Sequence, residues 1–117
     1  MTYGLLTNNA LAAADLLAQQ GISAAVWKLH VVAPLQVGEL KKVLMPYGAV
    51  LIAEEAERSG GVGEHLLAEF AQQGEGKKYR LTNLGRDIPN QGTLGELQKA
   101  VGLDAEGLAA ALKEMMK

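Results

Sequence analysis

Apolar positions along the chain recur at two spacings, and each change of spacing marks a new element. Between 9 and 20, Ala10, Leu11, Ala13, Ala14, Leu17 and Ala18 form a wide stripe at helical spacing. Thr7 or Asn8 is placed to cap that helix and Gly21 to end it. Ahead of it, residues 2–6 read as the tail of a strand running into a turn at Gly4. Residues 22–29 predict a strand with Ile22, Val26 and Trp27 buried. Residues 30–35 continue it as an extended loop, because the residue before Pro34 is pushed out of helical geometry. A second helix fits 37–47, with Leu40, Val43 and Leu44 inward and Gly48 at its end.

The stretch 49–66 carries the most information. Ala49-Val50-Leu51-Ile52-Ala53 is an unbroken apolar run, too short for a surface helix, and predicts a buried strand. Acidic residues and glycines follow, and then Val62, Leu66, Leu67 and Phe70 open a helical period over 62–73. After a loop at 74–76, residues 77–84 alternate, with Tyr79 and Leu81 on one side, as an edge strand does. Residues 85–92 form a long irregular connection. Thr93 and Glu96 match a capping box opening a short helix that reaches 101 and stops at Gly102. Asp104 caps a last helix over 105–116, with Leu108, Ala111, Leu112 and Met115 inward.

The order βαβαβαβαα belongs to the α/β class, three layers with helices on both faces of a mainly parallel sheet. With 117 residues and no repeat or linker, the chain predicts one domain over 1–117. Its 49% hydrophobic and 21% charged residues are those of an ordinary globular protein. The net charge of −2, with Lys77, Lys78 and Arg80 as the densest basic cluster, argues against a nucleic-acid partner. There is no cysteine, so disulfide and thiolate chemistry are excluded. No apolar run approaches the ~20 residues of a membrane helix, and 1–4 lack the pattern of a signal peptide. A cytoplasmic location is the expectation.

No constellation makes a self-sufficient active site. Gly61-Val62-Gly63 falls at a strand-to-helix turn, but the dinucleotide fingerprint needs a third glycine where Leu66 stands. The plainer reading is close approach of backbone to a neighbouring chain or domain, with room for a tight turn. Amides opening that helix could hold an anion, yet Glu54, Glu55, Glu57 and Glu64 oppose one against Arg58 alone. Glu54 and Glu55 are adjacent on a strand and point to opposite faces, so they cannot share a substrate; one is expected to face a helix amide or a partner and the other solvent. His30 and His65 lack further metal ligands, and no Gly-x-Ser-x-Gly elbow is present. No catalytic, cofactor-binding or metal-binding residue is therefore nominated.

Several short motifs, in order along nearly the whole chain, resemble the C-terminal domain of the transketolase family. They are Tyr3-Gly4 before a helix, Gly21-Ile22-Ser23, Pro34-Leu35, Glu54-Glu55, Gly60-Gly61-Val62-Gly63, and Gly102-Leu103-Asp104-Ala105-Glu106-Gly107-Leu108. Leu84-Gly85 and Gly92-Thr93-Leu94 make the ending similar to the 1-deoxy-D-xylulose-5-phosphate synthase branch, with the pyruvate dehydrogenase E1 β-subunit next. The resemblance implies a strand order of 2-1-3-4, and an excised domain or split subunit that lacks the family's N-terminal edge strand. It implies a homodimeric transferase in which thiamine diphosphate and Mg are held by N-terminal and central domains, and none by this chain alone. Such a domain is non-catalytic, organises the dimer, and serves isoprenoid precursor and thiamine biosynthesis through pyruvate and glyceraldehyde 3-phosphate. On this reading Glu54, Glu55, Arg58, Gly60, Gly61 and Gly63 form an interdomain contact loop. The alternative is a transketolase or 2-oxoacid dehydrogenase E1 β-type domain that docks a partner. Where the synthases usually carry a histidine before Gly92, this chain has Gln91.

Overall fold

The computed structural model describes residues 1–72, 76–87 and 90–117. Its elements are α1 (Leu6–Ala18), α2 (Val37–Leu44), β1 (Ala49–Ala53), α3 (Val62–Ala71), β2 (Lys78–Thr82), α4 (Leu94–Ala100) and α5 (Ala105–Met115). β1 and β2 pair in parallel, with Val50 opposite Tyr79 and Ile52 opposite Leu81. Successive strand residues point to opposite faces, and β1 divides the interior accordingly. Val50 and Ile52 join a core of Leu44, Leu66 and Phe70 under α2 and α3. Leu51 and Ala53 join a second core with Leu6, Leu17, Leu103 and Leu108 under α1 and α5. A strand covered on both faces must be apolar on both, which is why this run shows no polar alternation. Phe70 stacks on Tyr79 with ring centroids 4.9 Å apart, fastening α3 to β2.

The helix ends follow local chemistry. Thr93 accepts from the Glu96 amide while the Glu96 carboxylate accepts from the Thr93 amide, completing the expected capping box of α4. The Asp104 side chain accepts from the Gly107 amide and starts α5, which buries Leu108, Ala109, Ala111 and Met115. α1 departs from expectation. It begins at Leu6 with no side-chain cap, because Gly4, at φ +65°, turns the chain sooner than Thr7 or Asn8 could. The Thr7 hydroxyl instead donates back to the Gly4 carbonyl at 2.8 Å. Leu11 and Ala18, expected inward, are exposed, and Leu6 is buried in their place.

The largest correction falls on 22–29. This segment is not a regular strand: it makes one parallel bridge, Lys28 with Thr2. A ladder needs a neighbour along its length, and here Met1 and Thr2 supply it only at one end. Trp27, expected buried, is 38% exposed. Of the four-strand order expected from the resemblance, only the last pair forms a regular ladder among the described residues. The second helix stops at Leu44 rather than at residue 47, and Tyr47 follows it half-buried. The expected end of the third helix at Gln73, the loop residues Gly74 and Glu75, and Ile88 and Pro89 lie outside the described residues. No helix among the described residues is long and apolar enough to cross a membrane.

Candidate functional site

Glu54 leaves the end of β1, and its amide donates to the Thr82 carbonyl, carrying the ladder one residue further. The alternation that faces Val50 and Ile52 toward α3 sends the Glu54 side chain the same way, beneath the start of that helix. It is 1% exposed. Its Oε2 accepts from the Gly63 amide at 2.9 Å and from the Tyr3 hydroxyl at 2.9 Å. The first amides of a helix have no partner within it and carry partial positive charge, so a carboxylate there acts as a cap supplied from another element. Glu54 Oε1 is also buried and has no hydrogen-bond partner.

The glycines are explained by the same carboxylate. A Cβ on Gly61 would run into Glu54 Oε1, and one on Gly63 would run into the Leu81 methyl and stand 2.9 Å from Glu54 Oε1. The close approach is thus to a side chain of this same chain. Gly60, at φ +86°, makes the turn before α3, and its amide donates to Glu64 Oε2. One amide of the first turn of α3, that of Gly63, is therefore engaged by Glu54, and the Gly60 amide ahead of the helix by Glu64, so carboxylates stand where an anion would bind. Among the described residues no group of three or more His, Cys, Asp or Glu could hold a metal ion. Glu54, buried, and Glu64, exposed, both oppose a diphosphate at this helix start.

Glu55, in the bend just past the end of β1, is exposed. It accepts from Gln98 Nε2 at 2.7 Å. Gln98 Oε1 accepts in turn from Asn9 Nδ2, which also donates to the Leu103 carbonyl, each at 2.9 Å. This relay fastens the loop to α1 and α4. Beyond it, the Arg58 amide donates to the Gly85 carbonyl and the Leu84 amide to the Ala56 carbonyl, each at 3.0 Å. Arg58 and Arg86 then line an open polar cleft with Ser59, Glu64 and Asn83. Glu54, Gly61 and Gly63 form the inside of the site, while Glu55, Arg58 and Gly60 lie on its surface. Nothing in the sequence marks Tyr3, Asn9 and Gln98 as partners of this loop. Their sequence separations from it or from each other, 51, 43 and 89 residues, leave no local signal.

Tyr3 has a pH signature. Burial first, then the hydrogen bond and charge of Glu54 and, last, the charge of Glu55 push its hydroxyl from 10.0 up to about 12. A group whose folded pKa lies above its unfolded value contributes fully below the unfolded pKa, and that contribution is lost as pH rises through the folded one. Stability should thus fall as pH climbs from 10.0 through about 12. Denaturant unfolding across that range should show the fall, and Tyr3→Phe should remove this component of it. At neutral pH the same substitution costs about 1 kcal/mol, the worth of one hydrogen bond.

The model of the transketolase C-terminal domain family matches residues 1–108. The 1-deoxy-D-xylulose-5-phosphate synthase of Magnetococcus marinus is 40% identical over 120 residues, covering 99% of this chain and 19% of its own. That of Syntrophotalea carbinolica is 34% identical over 113 residues, covering 97% of this chain and 18% of its own. The chain therefore spans about a fifth of the length of these relatives. A solved split-gene transketolase, described as an inactive β4 tetramer, superposes with a TM-score of 0.83 at 27% identity, over 98% of this chain and 37% of its own. Gly4, Glu54, Gly63 and the Asp104 cap stand within the matched span, and the fold of almost the whole chain is shared with the structural neighbour. The chain belongs to the transketolase C-terminal domain family.

Proposed function

We propose that this chain is the non-catalytic C-terminal domain of a thiamine-diphosphate-dependent transferase of the 1-deoxy-D-xylulose-5-phosphate synthase type, acting on pyruvate and glyceraldehyde 3-phosphate. The observation that carries this reading is the 40% identity to the M. marinus synthase across 99% of the chain. The chemistry of the site supports it. Glu54 is sealed in the interior, where it holds Tyr3 and α3 and meets no substrate. Thiamine diphosphate and Mg belong, on this reading, to the N-terminal and central domains of the enzyme. The braced loop, through Glu55, Arg58 and Gly60, is the surface offered to those domains in a cytoplasmic homodimer. Gly61 and Gly63 let the loop close on Glu54.

Sedimentation of this chain with the M. marinus synthase lacking its matching C-terminal region tests the surface assignment. A stoichiometric complex is expected, weakened roughly tenfold or more by the charge reversals Glu55→Lys and Arg58→Glu together. Absence of a complex, or an unweakened one with the doubly reversed chain, would overturn it.

A further inference from the structure

β1 and β2 end side by side, with Ala53 opposite Thr82, and the loops that leave them are laced together. The Leu84 amide donates to the Ala56 carbonyl and the Arg58 amide to the Gly85 carbonyl, each at 3.0 Å. Asn83 Nδ2 donates to the Glu57 carbonyl at 3.4 Å, and Asn83 Oδ1 accepts from the Gly85 amide at 3.1 Å. This lacing fixes the backbone of Arg58 beside the residue that precedes Arg86. Both arginines line one open cleft of about 630 Å³ outside the carboxyl ends of the two strands. Ser59 and Glu64 share its wall, and the half-buried Leu67 and Leu81 supply the apolar part of its lining.

Of the three arginines in the chain, Arg80 is paired with Glu114 at 2.8 Å. Among the described residues the guanidinium groups of Arg58 and Arg86 have no carboxylate or carbonyl partner. Two like charges in one cleft repel, and an anion between them reverses the sign of that interaction. From the sequence, four glutamates faced Arg58 alone. The fold changes that balance. Glu54 is buried beneath α3, Glu55 is bonded to Gln98, and Glu57 does not line the cleft, while Arg86 arrives from the loop after β2. Glu64 is the acid that remains in the lining, and its Oε2 already accepts from the Gly60 amide. The lining therefore carries two positive charges against one negative.

We infer that this cleft is a site for a phosphate monoester, held between Arg58 and Arg86 rather than at the first amides of α3. A planar guanidinium fork engages two oxygens of a phosphate at once, which an ammonium does not. A tetrahedral dianion has oxygens for both forks, whereas a carboxylate is spent on one. The Ser59 hydroxyl stands in the same wall as a further donor. Leu67 and Leu81 are placed for the carbon side of an ester. Arg58 also lies on the surface proposed for the companion domains, but Ser59 and Arg86 do not, so anion binding and docking can fail separately.

The test titrates inorganic phosphate into the isotope-labelled chain by itself, at constant ionic strength, and follows the amide resonances. Those of Arg58, Ser59, Gly85 and Arg86 should shift together and saturate with a Kd of about 1–10 mM, the range of a few charged contacts on an open surface. Lys77 and Lys78, in the densest basic cluster of the chain, should show no saturating shift. Acetate should bind about fivefold more weakly than phosphate, and phenyl phosphate about threefold more tightly through its apolar body. Arg86→Gln should weaken phosphate by about tenfold. Glu64→Gln, which keeps an acceptor for the Gly60 amide, should strengthen it by about threefold, because the opposing charge is gone. The site is overturned by absence of saturation at these four amides, by an equal response at Lys77 and Lys78, or by equal affinity for acetate. It is equally overturned if phenyl phosphate gains nothing, if Arg86→Gln leaves phosphate affinity unmoved, or if Glu64→Gln fails to raise it.

Discussion

Glu54→Ala should cost about 3 kcal/mol, the largest loss expected from any single side chain in the loop. Two hydrogen bonds to a charged acceptor are removed, each worth ~1.5–3 kcal/mol. Relief of the carboxylate's burial offsets part of that. Tyr3 OH and the Gly63 amide are left without their partner, the latter in the interior. Against a typical stability of ~5–15 kcal/mol the loss is large, and for a domain of this size it should lower Tm by roughly 10–15 °C. Glu54→Gln separates hydrogen bonding from bulk. Its carbonyl can still accept from Gly63 and Tyr3, but its NH₂ then stands at the place of Oε1, which has no partner. A cost of about 1 kcal/mol is expected for the amide. Equal losses for alanine and glutamine would show that the site is held by charge alone. A loss below about 1 kcal/mol for alanine would remove Glu54 as the brace of α3.

The second large effect is expected at Gly63. Alanine is the better helix former by ~1 kcal/mol, so propensity alone predicts a gain in α3. Packing predicts the reverse. The added methyl would overlap the Leu81 side chain and stand 2.9 Å from Glu54 Oε1, and overpacking a buried site costs ~1–3 kcal/mol. Two steric partners outweigh the propensity term, and a net loss of about 2 kcal/mol should follow in urea unfolding. The two substitutions share a contact, so they should not add. In the Glu54→Ala background the cost of Gly63→Ala should shrink by about 1 kcal/mol, with the Leu81 overlap accounting for the remainder. Strict additivity would mean that the glycine is needed for a reason other than Glu54.

Elements whose cause is local were legible in the residues. The run 49–53 has no polar alternation because both its faces are covered, and it is β1. Thr93 with Glu96, and Asp104 with the Gly107 amide, act over three residues, and both caps are present. Glu54 and Glu55 divide between an internal helix amide and the surface as expected, although they stand just past the end of β1 rather than within a strand. What was not legible depends on distant partners. β propensity in 22–29 becomes a ladder only where a neighbour runs alongside, and here that is a single bridge at Lys28. Trp27 is exposed for the same reason. The Tyr3–Glu54 bond closes 51 residues of chain and has no short-range pattern. The glycines at 61 and 63 were visible, but the body they make room for was not.

The proposed supporting place of this chain in a thiamine-diphosphate transferase is reached directly by one assay. The M. marinus synthase, truncated to remove the region matched here, is mixed with this chain and supplied with thiamine diphosphate, Mg, pyruvate and glyceraldehyde 3-phosphate. The account predicts no turnover and no thiamine-diphosphate binding by this chain alone, and recovery of 1-deoxy-D-xylulose 5-phosphate formation when the two are combined. Turnover or cofactor binding by this chain alone, or a combined sample that forms no product while the intact synthase does, would contradict it.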